Sequence, residues 1–184
     1  MTTKFRVMTQ STPNPNALKF LVAKDVKTVG KVSFSHPAEC LNVPLAADLL
    51  GILHVTQVHL FENVLTVTQD GDGDWPVLEE EITRTITDRL PDHNPDFAVE
   101  KAQQSRANLT PELQKLEEIL DRTIRPGLQA DGGDLEVVEF QDNILTVRYE
   151  GACGSCPSSR MGTLQGIEGI LRHEFHPEIQ IVAL

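Results

Sequence analysis

Cysteine is scarce in this chain, with three among 184 residues. So small and odd a number cannot supply the paired framework that staples small secreted domains. None is needed, because a chain of this length buries a core of its own. Positive charge is short as well. Lys and Arg number 16 against 27 Asp and Glu, the net charge is −11, and both halves of the chain are acidic. Neither half offers the basic face that binds a phosphate backbone, so no nucleic-acid partner is expected. Apolar runs stay well under the ~18 residues of a helical span, so no membrane partner is expected either. The opening Met1-Thr2-Thr3-Lys4-Phe5 shows neither a basic region before an apolar core nor an Arg-rich amphipathic presequence. With the cysteine count, this leads to the expectation of a reducing, cytoplasmic home. Ser/His/Asp patterning and Gly-rich phosphate loops are missing from any workable context, and the chain is not expected to be an enzyme.

What is present divides into two units. Pro91 to Asn108 carries two prolines, several amides and few apolar residues, so no buried face can be drawn over it. The expected organisation is α+β: two small α/β-layer domains, residues 1–91 and 109–184, joined by a flexible linker over 92–108. In the first, strands are expected over Phe5–Thr9, Ala17–Ala23 and Val29–Phe34, with a hairpin of Val55–Phe61 and Val64–Gln69 about Glu62-Asn63. Between the first two strands, Thr12-Pro13-Asn14-Pro15-Asn16 reads as a rigid turn. Pro44 opens a short helix. A longer one starts from Asp74 as N-cap and carries Trp75, Leu78, Ile82, Ile86 and Leu90 on one face. The second domain reads helix, strand, strand, helix, strand (α-β-β-α-β). It opens at Thr110-Pro111 with a stripe of Leu113, Leu116, Leu120 and Ile124 that Pro126-Gly127 bends or ends. Strands Leu135–Phe140 and Ile144–Tyr149 follow, then a helix from Pro157 with Met161, Leu164, Ile167, Leu171 and Phe175 inward, and a last strand over Glu178–Leu184.

Between strand and helix stands Gly151-Ala152-Cys153-Gly154-Ser155-Cys156-Pro157. Glycines let backbone fold around a metal without Cβ clashes. A helix N-terminus beside the thiols favours thiolate, the form that binds soft metals and attacks disulfides. Three chemistries share this motif. A [4Fe–4S] cluster wants four thiolates; one chain offers Cys153 and Cys156, and two chains meeting would complete the set. A thioredoxin-like dithiol oxidoreductase uses the same strand–loop–helix context. A structural zinc site would add His173 and His176. Sixteen residues separate Cys156 from His173, however, and a helix between them would hold the pairs about 25 Å apart.

Other groups carry less. Asp131-Gly132-Gly133-Asp134 reads as a turn that could shape the wall beside the cysteine loop. Asp70-Gly71-Asp72-Gly73-Asp74 imitates a calcium loop, but Trp75 occupies the position that needs Gly. Cys40 has no base or second ligand beside it and reads as a small semi-buried thiol.

Two strings resemble a known family. Ile124-Arg125-Pro126-Gly127-Leu128-Gln129-Ala130-Asp131-Gly132-Gly133-Asp134, followed by Gly151 to Ser159 around the cysteines, resembles the NifU C-terminal domain of Nfu-type iron–sulfur scaffold proteins. Thr12 to Phe20 and the acidic turn into Asp74-Trp75 are similar to the N-terminal domain of the same proteins. The resemblance implies a scaffold or carrier that assembles or delivers a [4Fe–4S] cluster to apo iron–sulfur proteins. The cluster would be received from donor or assembly proteins and shared between two chains, so that the loaded form is a homodimer. Cys153 and Cys156 would be the ligands, with Arg160 offsetting the cluster's negative charge. The N-terminal domain would recognise partners or modulate transfer rather than bind metal. Val43 departs from the family, where a small polar residue is common, and His54 stands where a Gly is common.

Overall fold

The computed structural model describes residues 6–98, 110–154 and 162–184. The chain is α+β and divides into two compact units, at Val99 and Glu100.

The first unit is an antiparallel sheet of five strands, β1 (Met8–Ser11), β2 (Ala17–Leu21), β3 (Lys27–Phe34), β4 (Val55–Glu62) and β5 (Val64–Gln69), in the order β1-β2-β5-β4-β3. Alternation sends Phe20, Val32, Phe34, Val58, Leu60, Leu65 and Val67 to one face. Two helices cover that face, α1 (Pro44–Leu50) through Leu45, Ala46 and Leu49, and α2 (Trp75–Arg89) through Leu78, Ile82 and Ile86. β3 begins earlier than its alternation suggests because Gly30, at φ 73°, forms a bulge that throws Val29 outward.

The Thr12–Asn16 turn is bound to itself. Thr12 Oγ1 donates to the carbonyls of Asn14 (2.9 Å) and Ala17 (3.0 Å), and Asn14 Oδ1 accepts from Asn16 N (3.0 Å). Trp75 Nε1 donates to Pro15 O at 2.8 Å and so ties the head of α2 to this turn. Asp74 takes the N-cap position of α2, but its side chain makes no capping bond. Gln69 orders the approach instead, accepting from Gly73 N at 2.7 Å and donating to Gly73 O at 3.0 Å.

One boundary is corrected. Residues 92–97 are not free linker: Phe97 and His93 are buried in the first unit. Lys24 donates to His93 O (2.8 Å), Lys27 donates to Phe97 O (3.1 Å), and Lys27 Nζ lies 4.6 Å from the Phe97 ring centre. Lysine stems and carbonyls gave no periodic signal that a sequence reading could use. Of the expected linker over 92–108, residues 99–108 lie outside the described residues.

The second unit has helices α3 (Pro111–Thr123), α4 (Arg125–Ala130) and α5 (Leu164–Glu174) with strands β6 (Gly133–Gln141), β7 (Ile144–Gly151) and β8 (Gln180–Ala183). The sheet order is β6-β7-β8, with β6–β7 antiparallel and β7–β8 parallel. Thr110 caps α3 by accepting from Leu113 N. The break between α3 and α4 falls at Ile124, two residues before Pro126, whose ring and missing N–H interrupt the preceding turn. Asp142 and Asn143, at φ 51° and 62°, make the two-residue turn of the β6–β7 hairpin. Leu116, Leu120 and Leu128 from α3 and α4, with Ile167 and Leu171 from α5, pack on Leu135, Leu145, Val147 and Tyr149.

Candidate functional site

The parallel β7–β8 pair requires a crossover, and Cys153 stands at its start, just past the C-terminal end of β7. Gly151 turns the chain at φ 60°, and Gly154 N donates to Gly151 O at 3.1 Å to close the bend. Ala152 N donates to Gly132 O at 3.1 Å, which ties the loop to the turn entering β6. Cys153 is 5 % exposed and belongs to the core of the second unit.

Its sulfur occupies a place made by a missing side chain. A Cβ on Gly133 would lie 2.8 Å from both Cys153 N and Glu150 O, and closer still to Cys153 Sγ. Gly133 pairs with Gly151 across the ladder, so neither strand presents a side chain there. Gly132, at φ 80°, supplies the turn before it. The Asp131–Asp134 string, read from the sequence as a turn between helix and strand, lies beside Cys153 through Gly132 and Gly133.

An ion cluster fixes this turn from behind. Asp134 is fully buried; its carboxylate accepts from Leu135 N (2.7 Å) and Gln129 Nε2 (2.9 Å) and lies 3.4 Å from Arg125 Nε. Arg125 also pairs with Glu117 at 2.6 Å and with Asp121. Burial works against its charge, but Glu117 and Asp121 outweigh that and hold the guanidinium above its ordinary pKa. Arg125 and Tyr149 were not singled out as site-forming residues in the sequence; Arg125 stood only as part of the Ile124–Asp134 string.

Cys156, with Pro157, Arg160 and Met161 of the expected helix, lies outside the described residues; the described helix begins at Leu164. Among the described residues, no three of His, Cys, Asp or Glu converge as a metal site. Cys153, His173 and His176 are therefore not assembled as a zinc set, and His176 Nδ1 accepts from Glu178 N at 3.3 Å. The calcium-like aspartates are not assembled either. Asp70 instead accepts from Asp72 N and meets His54 Nδ1 at 3.1 Å. The backbone bond from Asp72, then the His54 bond, hold its carboxyl below the usual pKa. His54 itself sits at φ 73°, the conformation that makes Gly common at that position. Val43 caps no backbone group at the head of α1 but is buried in the core. Cys40 is buried in the first unit, and burial, then Glu39, push its thiol up to about 11.

Family models match both units: residues 7–93 match the N-terminal family of scaffold protein Nfu/NifU, and residues 116–182 match the NifU-like domain. The chain is 34 % identical over 174 residues to NifU-like protein 4, mitochondrial, of Arabidopsis thaliana, covering 91 % of this chain and 62 % of that protein. To NifU-like protein 5, mitochondrial, of the same plant it is 33 % identical over 174 residues, covering 91 % and 63 %. To the human NFU1 iron-sulfur cluster scaffold homolog, mitochondrial, it is 34 % identical over 178 residues, covering 95 % and 69 %. The chain thus spans less than two thirds of the length of the two plant relatives. All three relatives carry mitochondrial names, which overturns the expectation of a cytoplasmic home. Few cysteines argue for a reducing environment, but they do not separate one reducing compartment from another.

Proposed function

The chain belongs to the family of NifU-like iron–sulfur cluster scaffold proteins, and we propose that it carries a [4Fe–4S] cluster as cargo, held by Cys153 and Cys156 together with the same pair from a second copy. The observation that carries this reading is the seat of Cys153. A soft donor stands at the mouth of the β7–α5–β8 crossover, on a glycine notch, and among the described residues it belongs to no group of three or more His, Cys, Asp or Glu side chains. Thiolate alone suits iron–sulfide cargo, and half a set of thiolates suits a site completed by a neighbour.

Delivery is ligand exchange. A thiolate of an apo iron–sulfur protein forms a bond to iron as a Cys153 or Cys156 thiolate leaves, with no net oxidation and the cluster's charge unchanged. Repeating the step moves the cargo to the acceptor, and the protein returns to its empty form. A donor or assembly protein refills it by the reverse steps. Only iron–thiolate bonds are exchanged and the cargo itself is not transformed, so the protein acts as a carrier and not as an enzyme.

Anaerobic reconstitution should give a brown protein with about four irons per two chains, eluting as a dimer. Cys156→Ala should abolish the colour; unchanged iron in that variant refutes the assignment. Rapid reduction of insulin disulfides by the metal-free protein would move the reading to a dithiol oxidoreductase.

A further inference from the structure

Tyr149 is 6 % exposed, and its hydroxyl is buried without a hydrogen-bond partner among the described residues. Leu145 and Val147 fill the same strand face with no polar atom. A buried donor left unpaired is unfavourable, so packing alone does not account for the hydroxyl.

Its place on the ladder does. Tyr149 pairs with Leu135, and the neighbouring pair on the same face is Gly151 with Gly133. Residues two apart on a strand share a face, so a side chain on Gly133 would point as Leu135 does, into the core. The Cys153 sulfur fills that direction. Tyr149 and the sulfur's seat are therefore diagonal neighbours on one face, about 7–8 Å apart at the backbone, within reach of an aromatic side chain.

We propose that the Tyr149 hydroxyl donates a hydrogen bond to the Cys153 sulfur when that sulfur holds iron. The inference rests on the carrier reading above. A thiol is a weak acceptor, whereas an iron-bound thiolate is a good one, so the bond is made on loading. A phenol is an O–H donor that keeps its proton through the physiological range. Such a bond draws electron density from sulfur and raises the reduction potential of the cargo. It also gives the loaded form a partner that the empty form lacks, which slows release. Tyr149 is thus a positioning residue that acts through Cys153.

The test compares full-length wild type, Tyr149→Phe and Cys153→Ala after anaerobic reconstitution. Metal-free Tyr149→Phe should melt at or above the wild-type temperature, because an unpaired polar atom has been removed. Loaded Tyr149→Phe should lose iron to a chelator about three- to tenfold faster, with a more negative reduction potential. Loss rate and potential equal to wild type overturn the inference while leaving the carrier reading intact. A clearly destabilised metal-free variant overturns it too, since the hydroxyl would then already be satisfied. Failure of wild type to take iron, or full loading of Cys153→Ala, overturns the carrier reading and this inference together.

Discussion

Replacing Gly133 by Ala adds one methyl group at the place where the Cys153 sulfur rests. The new carbon would meet Cys153 N and Glu150 O at 2.8 Å and Cys153 Sγ closer still. Two of these three neighbours are backbone atoms, held by the Gly133–Gly151 pairing and the Ala152–Gly132 bond, and cannot rotate away as a long side chain would. Overpacking of this kind costs about 1–3 kcal/mol. In a unit of this size that lowers the melting temperature by roughly 5–20 °C. The alternative response, expulsion of Cys153 from its seat, spares stability but moves the ligand. The sequence provides a separate probe for each unit, because its single Trp is in the first and its single Tyr in the second. Trp75 fluorescence should report an unchanged transition, while Tyr149 signal and iron content report the damage. A Gly133→Ala protein that melts as wild type does and also loads the same iron would refute the notch as the seat of the ligand.

Two further outcomes concern the first unit. His93 Nε2 donates to Val26 O (2.7 Å), and burial, reinforced by Lys24 and Lys27, holds its pKa below the ordinary value of 6.5. The unfolded chain then binds this proton first, so the stability contribution is complete above about pH 6.5 and falls as pH drops through the range down to the folded pKa. Urea titrations followed by Trp75 should show that loss, and His93→Gln should flatten it; a slope unchanged in the variant refutes the assignment. Cys40, buried and with its thiol pushed up to about 11, is roughly one part in a thousand thiolate near pH 8. Cys40→Ser should therefore load iron as wild type does, and native Cys40 should alkylate only on unfolding, as mass spectrometry of the labelled peptides would reveal.

The elements with strict periodicity were legible from sequence alone. The α2 stripe at Leu78, Ile82 and Ile86 is buried as its spacing requires, and the Glu62-Asn63 turn joins the strands that alternation marks out. What escaped depends on atoms that pattern does not encode. Phe97 looked like a linker residue because the lysines that clasp its segment lie about seventy positions earlier. Asp74 looked like a cap because residue type fits the role, yet Gln69 ties down the turn leading into the helix. At the site, the cysteine motif was visible, but that Gly133 seats the sulfur was not, since a glycine's contribution is the space it leaves.

The Arg125–Asp134 cluster bears on how that space is kept. A buried ion pair is a weak source of net stability, because desolvating both charges offsets most of their attraction. Removing either partner is costly, however, so such a pair enforces one arrangement over others. Here both ends belong to one short stretch of chain: Arg125 opens α4, Asp134 is the second residue of β6, and Gln129 between them donates to the same carboxylate. Any slip of β6 by one residue would carry Asp134 away from Arg125 and place a side chain of the opposite face in its stead. The same slip would put Asp134 or Gly132 where Gly133 now faces Cys153. Charges that add little to folding therefore lock the register that leaves room for the sulfur, and the Arg125–Asp134 string and the cysteine loop are two parts of one device.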